Sequence, residues 1–465
     1  MDLQKNKKKQ NKFLLVYSVC LVLCFSPFKS LSLLTPLLVV FLLLFYVTVK
    51  QTYNFIKLFF FVLLYLLIGF FYFIVNEDFL WTNFFFFLFT FSSYLLLLVS
   101  FDSIINRDIL NRMTNITVKI LFFEAIFGII QVLYNVVFVT HGFDGGTGDA
   151  ATGTINPTFT PGDGSASNVY YAISLSALSV LVIVFKLFEK RKLNMYVILT
   201  LIFGWLIASV MHSIFLLLAS IVINALIVVI FMPKNRLSFL SKQLKIIRAT
   251  IGITIFIIIS LFFFMPKNVD LLNTYYQQTF ISNKSRSTKA IATVVTYTEL
   301  SKNKPYQYYI GLGPGQYCSK ASLILSDTYL NSNIPRFLKS VSPDLEKYIL
   351  PIWLEYKERK WKAGSTYFPF YSWLTVYGEL GILGCIVILV SLFSFCRRLL
   401  KNVNQENFIL VLGIFIVVIY IFLLGIQDNY WEWAQFILPI LILVKALYYL
   451  AIRRRDVDDL MPNNT

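Results

Sequence analysis

Apolar segments of about 20 residues recur along most of this chain, and they decide what it can fold into. A helix rises roughly 1.5 Å per residue, so each segment is long enough to cross the hydrocarbon core of a bilayer. With 57% hydrophobic residues, 14% charged residues and a mean hydropathy of +0.71, the composition excludes a soluble globular domain. The sequence therefore predicts an all-α, polytopic membrane protein.

The apolar segments predict about 12 transmembrane helices. They lie near 13–28, 31–49, 55–75, 80–101, 116–140, 167–185, 193–210, 213–232, 249–265, 369–396, 407–426 and 434–451. Residues 1–265 are expected to form helices 1–9, and residues 266–368 one long extracytoplasmic loop. Residues 369–465 are expected to form helices 10–12 and a cytoplasmic tail. The first segment is predicted to be an uncleaved span, because no small-residue cleavage site follows it.

The distribution of lysine and arginine predicts the orientation, because basic residues beside short loops resist translocation. The segments predicted to lie inside are 1–12, 50–57, 102–119, 186–192, 234–248, 397–401 and 453–455. They hold 25 of the 41 basic residues, so both termini are predicted to face the cytoplasm. The net charge of +17 is interpreted mainly as this topology signal. The chain contains no nucleic-acid-binding motif, and no nucleic-acid partner is predicted.

Polar residues are concentrated in two loops that this topology places outside. The loop 141–166 is rich in Gly, Asp and Thr, which favour turns and can hydrogen-bond to sugar hydroxyls, although a plain connector is the alternative. The long loop holds 14 basic against 7 acidic residues, which indicates an anionic ligand. Its segment 344–362 has an amphipathic pattern with aromatic residues, typical of a helix on a membrane surface or over a cavity.

Few ionisable residues occur inside the predicted spans or at their edges, and the candidates among them are Glu124, His212, Glu379 and Lys445. A charge in hydrocarbon costs about 2.5 kcal/mol or more, so each of them is a candidate functional residue, although Lys445 could simply snorkel. No His/Cys cluster has the spacing of metal ligands, and the glycines at 311, 313 and 315 are not followed by the Gly-Lys-Ser/Thr of a nucleotide-binding loop. The sequence predicts neither a metal nor a cofactor.

Five stretches follow one another between residues 150 and 445. They are Gly153-Thr154-Ile155-Asn156-Pro157; Ala208-Ser209-Val210-Met211-His212-Ser213; Arg286 or Lys289 followed by Ile310-Gly311-Leu312-Gly313-Pro314-Gly315; the run 370–384, which contains Tyr377-Gly378-Glu379-Leu380-Gly381; and Asp428-Asn429-Tyr430-Trp431-Glu432-Trp433. In this order they resemble the family of O-antigen polymerases and O-antigen ligases, the Wzy-type membrane glycosyltransferases.

The resemblance implies an enzyme at the outer face of a bacterial inner membrane. Its partners would be a polyprenyl-diphosphate-linked glycan donor, an acceptor glycan, the lipid bilayer and a chain-length regulator. The candidate catalytic residues are His212, Arg286, Lys289, Tyr371 and Glu379. The candidate substrate-binding residues are Asn156, Gly311, Gly313 and Gly315, because glycines let backbone amides approach a phosphate or a sugar closely.

The chemistry of such a transfer requires fixed cations near the departing diphosphate. Arg286, Lys289 and His212 are expected at that depth. An acceptor hydroxyl would attack the anomeric carbon with help from a general base, with inversion if the displacement is direct. The sequence leaves the base unassigned among several residues, which are Glu124, Glu355, Tyr367, Tyr371 and Glu379.

The sequence favours a polymerase over two alternatives. The ligase branch resembled here uses a histidine where this chain has Phe370 beside Tyr371, which counts against a ligase. His212 occupies the position of a Ser-Arg pair and would be a titrating rather than a permanent cation. A transporter or flippase of lipid-linked sugars is the third hypothesis. Transporters place their sites near the midplane on interrupted, repeated helices, and no repeat is visible in this sequence.

Overall fold

The computed structural model describes most of the chain, and the described residues are almost entirely helical. They are residues 2–27, 31–47, 51–100, 104–141, 150–159, 167–191, 194–208, 211–231, 287–328, 335–358, 368–404 and 406–458, with the single positions 252, 273 and 277. No β-strand occurs in these ranges, so the all-α prediction is confirmed for them. Apart from residue 252, the predicted span 249–265 lies outside the described residues, as do Arg286 and Tyr367.

The first half of the chain is a succession of helices joined by short connections. The α-helices are α1 (Asp2–Cys24), α2 (Leu31–Phe41), α3 (Gln51–Val75), α4 (Trp81–Thr90), α5 (Arg107–Phe138), α6 (Ser167–Phe188), α7 (Met195–Ile207) and α8 (Met211–Phe231). A π-helical segment, Leu42–Val47, continues α2, and two 3₁₀ segments occur at Ser92–Leu98 and Gly153–Ile155.

The long loop is built from short helices, and three long helices follow it. The short α-helices are α9 (Thr288–Val295), α10 (Ser301–Asn303), α11 (Tyr306–Ile310), α12 (Lys320–Leu325), α13 (Pro343–Tyr348) and α14 (Leu350–Glu358), with a π segment at Thr296–Leu300 and a 3₁₀ turn at Arg336–Leu338. The long helices are α15 (Ser372–Lys401), α16 (Phe408–Leu424) and α17 (Ala434–Asp458), and a 3₁₀ turn, Tyr430–Glu432, precedes α17.

Among the described residues, five helices are long and apolar enough to cross a membrane: α3, α5, α6, α15 and α17. The helix α4 and the following 3₁₀ segment satisfy the same criterion together but are bent by 68°. Shorter apolar helices occur at Pro36–Val47, Met195–Ile207, Ser213–Ile227 and Phe408–Leu424. These helices indicate a polytopic membrane fold, and the total of about 12 spans stays a prediction.

Two of the predicted spans are interrupted. The span predicted at 80–101 breaks after α4, where the hydroxyl groups of Thr90 and Ser92 donate to the carbonyls of Phe87 (3.0 Å) and Phe89 (2.7 Å). The span predicted at 369–396 breaks at Gly381, where φ is 64° and ψ is −166°. Hydroxyl groups that bond to nearby carbonyls bend helices, and a φ of 64° is readily adopted only by glycine.

Loops that the charge pattern places outside contact one another. The Thr154 hydroxyl lies 2.7 Å from the carbonyl oxygen of Phe25, so the 150–159 segment contacts the end of α1. The Asn76 amide donates to the carbonyl of Leu312 (2.9 Å), which joins the turn after α3 to the long loop. These loops therefore collect at one end of the helices.

Segments that the charge pattern places inside also contact one another. Arg107 and Glu189 form an ion pair (3.6 Å) between the start of α5 and the end of α6. The Asn407 amide donates to the carbonyl of Ala451 (3.0 Å), which joins the turn before α16 to α17. The two groups of loops thus lie at opposite ends of the helices, as alternating spans require. Which end faces the cytoplasm stays a prediction.

Candidate functional site

The glycine run of the long loop is buried directly against the backbone of α15. The amides of Leu312 and Gly313 donate to the carbonyls of Gly378 (3.0 Å) and Glu379 (2.9 Å). Gly311 has a φ of 76°, and a side chain at that position would overlap the carbonyl group of Glu379. Only glycine allows two backbones to approach this closely in that conformation. Residues 310–319 are called the glycine segment below.

Glu379 holds the glycine segment in place through its carboxylate. The side chain is fully buried and accepts hydrogen bonds from the amides of Gly315 (2.6 Å), Tyr317 (3.1 Å) and Ser319 (2.9 Å). A carboxylate that accepts several backbone amides is held firmly in one orientation. Glu379 is therefore engaged as a positioning residue, and the amide of Gly315 is used inside the protein.

The break in α15 belongs to the same contact. A side chain at Gly381 would overlap the carbonyl group of Tyr309, which lies in the short helix α11 just before the glycine segment. Gly381 and Gly311 thus lie where the helix and the loop cross at backbone distance. Irregular backbone of this kind is tolerated at membrane depth only when it is buried in protein, as it is here.

The loop between α16 and α17 meets the glycine segment from the other side. The backbone amide and the hydroxyl of Ser372, the first residue of α15, both donate to the carbonyl of Asp428 (3.2 and 3.0 Å). The Asn429 amide donates to the carbonyl of Cys318 (2.7 Å). The start of α15, the glycine segment and this loop are therefore fixed relative to one another.

Four buried charged residues come together at this junction, and they are called the ion cluster: Lys289, Lys320, Asp428 and Glu432. The Lys289 ammonium donates to the carbonyl of Gln427, the residue before Asp428. The backbone amide of Lys320 donates to the Glu432 carboxylate (2.7 Å), and its ammonium lies over the ring of Trp433. The ion cluster contains two potential cations and two potential anions.

Burial moves the pKa values of Lys289 and Asp428 toward neutral pH. Burial lowers the pKa of Lys289 to about 8, although the charge of Asp428 opposes this shift. Burial raises the pKa of Asp428 to about 6, and the charge of Lys289 opposes that shift. Near neutral pH this pair is charged on both sides, and each member titrates within about one unit of pH 7.

Lys320 and Glu432 are shifted in the same sense by burial, which lowers the pKa of Lys320 and raises the pKa of Glu432. Glu379 adds to the shift of Glu432, because a second carboxylate nearby disfavours its charge. The Lys320 ammonium, one oxygen of Asp428 and one oxygen of Glu432 have no hydrogen-bond partner among the described residues. A buried polar atom left unpaired costs about 1–3 kcal/mol, so water or a ligand is expected at these atoms.

Several residues predicted from the sequence lie at this junction. Lys289 belongs to the ion cluster, and its carbonyl accepts the hydroxyl of Thr293 (2.6 Å) one turn later in α9. The same Thr293 hydroxyl lies 2.9 Å from the hydroxyl of Tyr371, at the start of α15. Glu379 and the three glycines of the glycine segment pack on one another beside the cluster.

Other predicted residues lie elsewhere or outside the described ranges. His212 is in the first turn of α8, and its side chain is not among the described ones. The carbonyl of Asn156 accepts hydrogen bonds from Gln131 (3.0 Å) and Thr152 (2.6 Å). The Glu124 carboxylate accepts the amide (2.9 Å) and the hydroxyl (2.6 Å) of Thr154. Glu124 and Gln131 thus fix the turn that precedes α6.

Lys445, the lysine inside the last predicted span, binds the end of the 3₁₀ segment that follows α4. Its ammonium donates to the carbonyls of Leu96 (2.8 Å) and Val99 (2.6 Å), at the end of the 3₁₀ segment. A lysine near a helical C-terminus satisfies carbonyl groups that would otherwise be unpaired. Its position is explained by this structural role.

Sequence reasoning did not single out Lys320, and it quoted Asp428 and Glu432 only as part of a stretch. The available signals were weak: Lys320 follows the glycine run closely, and the two acidic residues lie in a short loop rich in aromatic residues. Searches with the chain gave no match to a family model, a curated protein or a solved structure. Within the described ranges, no group of three or more His, Cys, Asp or Glu residues could hold a metal ion.

Proposed function

We propose that this chain is a polymerase of lipid-linked oligosaccharide repeat units. It would transfer a glycan from polyprenyl diphosphate to an acceptor glycan at the outer face of a bacterial inner membrane. The observation that carries the proposal is the ion cluster, in which two buried lysines lie beside two carboxylates at one end of long apolar helices. A reaction between membrane-anchored substrates needs charged groups at that depth, since the leaving diphosphate is anionic.

The lysines supply the cations that the leaving group requires. Lys289 is buried and donates to the Gln427 carbonyl, and the Lys320 ammonium has no hydrogen-bond partner in the described part of the chain. Preorganised cations in a site that excludes water stabilise developing negative charge strongly. Arg286 and His212 are proposed as additional cations on the strength of the sequence.

The test is a reconstitution of the purified protein in nanodiscs with its polyprenyl-diphosphate-linked repeat unit. Polymerase activity should give a ladder of longer glycans together with free polyprenyl diphosphate, and it should persist in EDTA because lysines replace a metal. A product formed only when a lipid acceptor is added would indicate the ligase instead. Failure of the wild-type protein to lengthen or transfer the glycan would refute both enzymatic proposals.

A transporter of lipid-linked sugars is the second candidate, and one observation favours it. The helices α4 and α15 are both interrupted, at Phe91 and Gly381, and interrupted helices are typical of transport sites. The ion cluster borders the break in α4, because the Thr90 hydroxyl lies 3.2 Å from the Glu432 carboxylate. The enzyme is preferred because transport sites are typically built from repeated helices, and no repeat is visible in the sequence. The two are separated by a vesicle assay: a transporter moves the lipid-linked glycan across the bilayer and leaves it covalently unchanged.

The proposed orientation can be tested with topology reporters. The charge distribution places residue 240 in the cytoplasm and residue 330 outside, because lysine and arginine flank the first position and the second lies in the long loop. A fusion after residue 240 should be active only with a cytoplasmic reporter, and an insertion near residue 330 only with an extracytoplasmic one. The opposite pattern would place the ion cluster on the cytoplasmic side and would exclude an outer-face enzyme.

A further inference from the structure

A glycosyl transfer requires a general base, and the end of the helices that holds the ion cluster offers several buried or paired carboxylates. They include Asp78, Glu124, Asp344, Glu379, Asp428 and Glu432. A general base needs an oxygen that is free to accept the proton of the acceptor hydroxyl. The hydrogen bonds of each carboxylate therefore decide which of them can serve.

Four of these carboxylates are already engaged. Glu379 accepts three backbone amides of the glycine segment, and Glu124 accepts both the amide and the hydroxyl of Thr154. Asp78 and Asp344 share the ammonium of Lys304, each at 2.8 Å. Their oxygens hold loops in place, and taking up a proton would weaken those contacts.

Among the described residues, two of these six carboxylates have a buried oxygen without a hydrogen-bond partner, namely Oδ2 of Asp428 and Oε1 of Glu432. The other oxygen of Glu432 accepts the backbone amide of Lys320 (2.7 Å) and lies 3.2 Å from the hydroxyl oxygen of Thr90. The other oxygen of Asp428 accepts the amide of Asn429 (2.7 Å). Each carboxylate is thus held on one side and open on the other.

The surrounding charges separate the two. Burial raises the pKa of Asp428, but two lysines, Lys289 and Lys320, lie near it and their charges oppose that rise. Glu432 has Lys320 nearby but also faces Glu379, and the second carboxylate disfavours its ionised form. A base must be ionised before it can accept a proton, so the arrangement favours Asp428.

We infer that Asp428 is the general base of the proposed glycosyl transfer, an inference that rests on the proposed polymerase function. Its free oxygen accepts the proton of the acceptor hydroxyl as the O–H bond breaks. The hydroxyl oxygen forms the new bond to the anomeric carbon, and the bond from that carbon to the diphosphate oxygen breaks. The electron pair leaves with the diphosphate, close to Lys289 and Lys320. Two hydrogen bonds from Ser372 to its carbonyl hold Asp428 in position.

The test compares Asp428→Asn with Glu432→Gln in the nanodisc assay, using the lipid-linked repeat unit as donor and acceptor. Asp428→Asn should lower the rate of polymer formation by roughly 100- to 10,000-fold, the usual contribution of a general base. Glu432→Gln should lower it less than tenfold and should keep the decline of the rate at acidic pH. Detergent-phase gel filtration and thermal stability show whether each variant is folded.

The outcomes separate the inference from the proposed function. A folded Asp428→Asn protein that polymerises at more than one tenth of the wild-type rate would overturn the role of Asp428. If Asp428→Asn does not fold, the pH profile of Glu432→Gln decides between the two carboxylates. A Glu432→Gln rate that no longer falls at acidic pH would assign the base to Glu432. If the wild-type protein itself forms no polymer, the proposed function fails instead.

Discussion

Replacing Lys289 by methionine should lower the rate of polymer formation by roughly 10- to 1000-fold, the usual effect of removing one preorganised charge from a developing anion. Lys289 is a buried cation of the ion cluster, fixed by the carbonyl of Gln427. Lys289→Arg should be more active than Lys289→Met but less active than the wild type, because a guanidinium keeps the positive charge but differs in shape from an ammonium. The measurement is the initial rate in nanodiscs, with the exposed Lys302→Met as the matched control.

A loss of folding must be separated from a loss of chemistry, because Lys289→Met leaves the charge of Asp428 buried without its neighbour. Breaking a buried charge pair costs about 3–5 kcal/mol, so the variant is expected to melt at a lower temperature. The double variant Lys289→Met/Asp428→Asn removes both charges and should regain stability without activity. A folded Lys289→Met protein with the wild-type rate would show that this lysine does not act on the leaving group.

The pH dependence of the proposed activity in the wild-type protein provides an independent check on the same pair. Asp428 must be ionised and Lys289 protonated, so the rate should fall below pH about 6 and above pH about 8. The two limits belong to the interacting pair rather than to either residue alone. In Lys289→Arg the alkaline decline should disappear, since guanidinium stays protonated. An unchanged alkaline decline would assign it to another group.

The class of fold was predictable because it depends on local composition. Long apolar runs predict helices wherever they occur, and the five long apolar helices contain or largely overlap the spans predicted at 55–75, 116–140, 167–185, 369–396 and 434–451. The interruption at Gly381 was not predictable, because it depends on the backbone of Tyr309 from a distant part of the chain. Nothing in the local sequence distinguishes Gly381 from Gly384, which remains helical.

The candidate site was predictable only in part, for the same physical reason. Lys289 could be proposed because a basic residue close to the end of a predicted span suits an anionic ligand. Lys320 could not, because its burial depends on Glu432 and Trp433 in the last outer loop. A lysine in a polar loop is ordinarily exposed, and only the tertiary contact makes it unusual.

The glycine segment links the two halves of the chain to the site. Its Leu312 carbonyl accepts the amide of Asn76, after α3, and the Gln316 amide exchanges two hydrogen bonds with the backbone of Leu80, both at 2.9 Å. Its other side is held by Glu379. The positions of α3, α4 and α15 therefore determine where the glycine segment lies, and with it Lys320, the next residue. Breaking these contacts should therefore lower the amount of folded protein more than it lowers the rate per folded molecule.

Glu379→Ala should accordingly cause the largest loss of folded protein among single substitutions of the site. It leaves the three buried amides of Gly315, Tyr317 and Ser319 without their acceptor, at about 1–3 kcal/mol each. That sum is comparable to the whole stability of a typical domain, about 5–15 kcal/mol. The measurements are the monodisperse fraction in detergent and the melting temperature, with the exposed Glu346→Ala as control.

Glu379→Gln distinguishes a positioning role from a catalytic one. Glutamine keeps one side-chain oxygen, which can still accept the amides of Tyr317 and Ser319, but its NH₂ group would face the Gly315 amide. The variant should therefore fold less well than the wild type while its rate per folded molecule stays within about tenfold, because the reacting groups remain. If Glu379 instead carries a proton in the reaction, Glu379→Gln should be well folded and inactive. A wild-type melting temperature for Glu379→Ala would show that the glycine segment is held by other contacts.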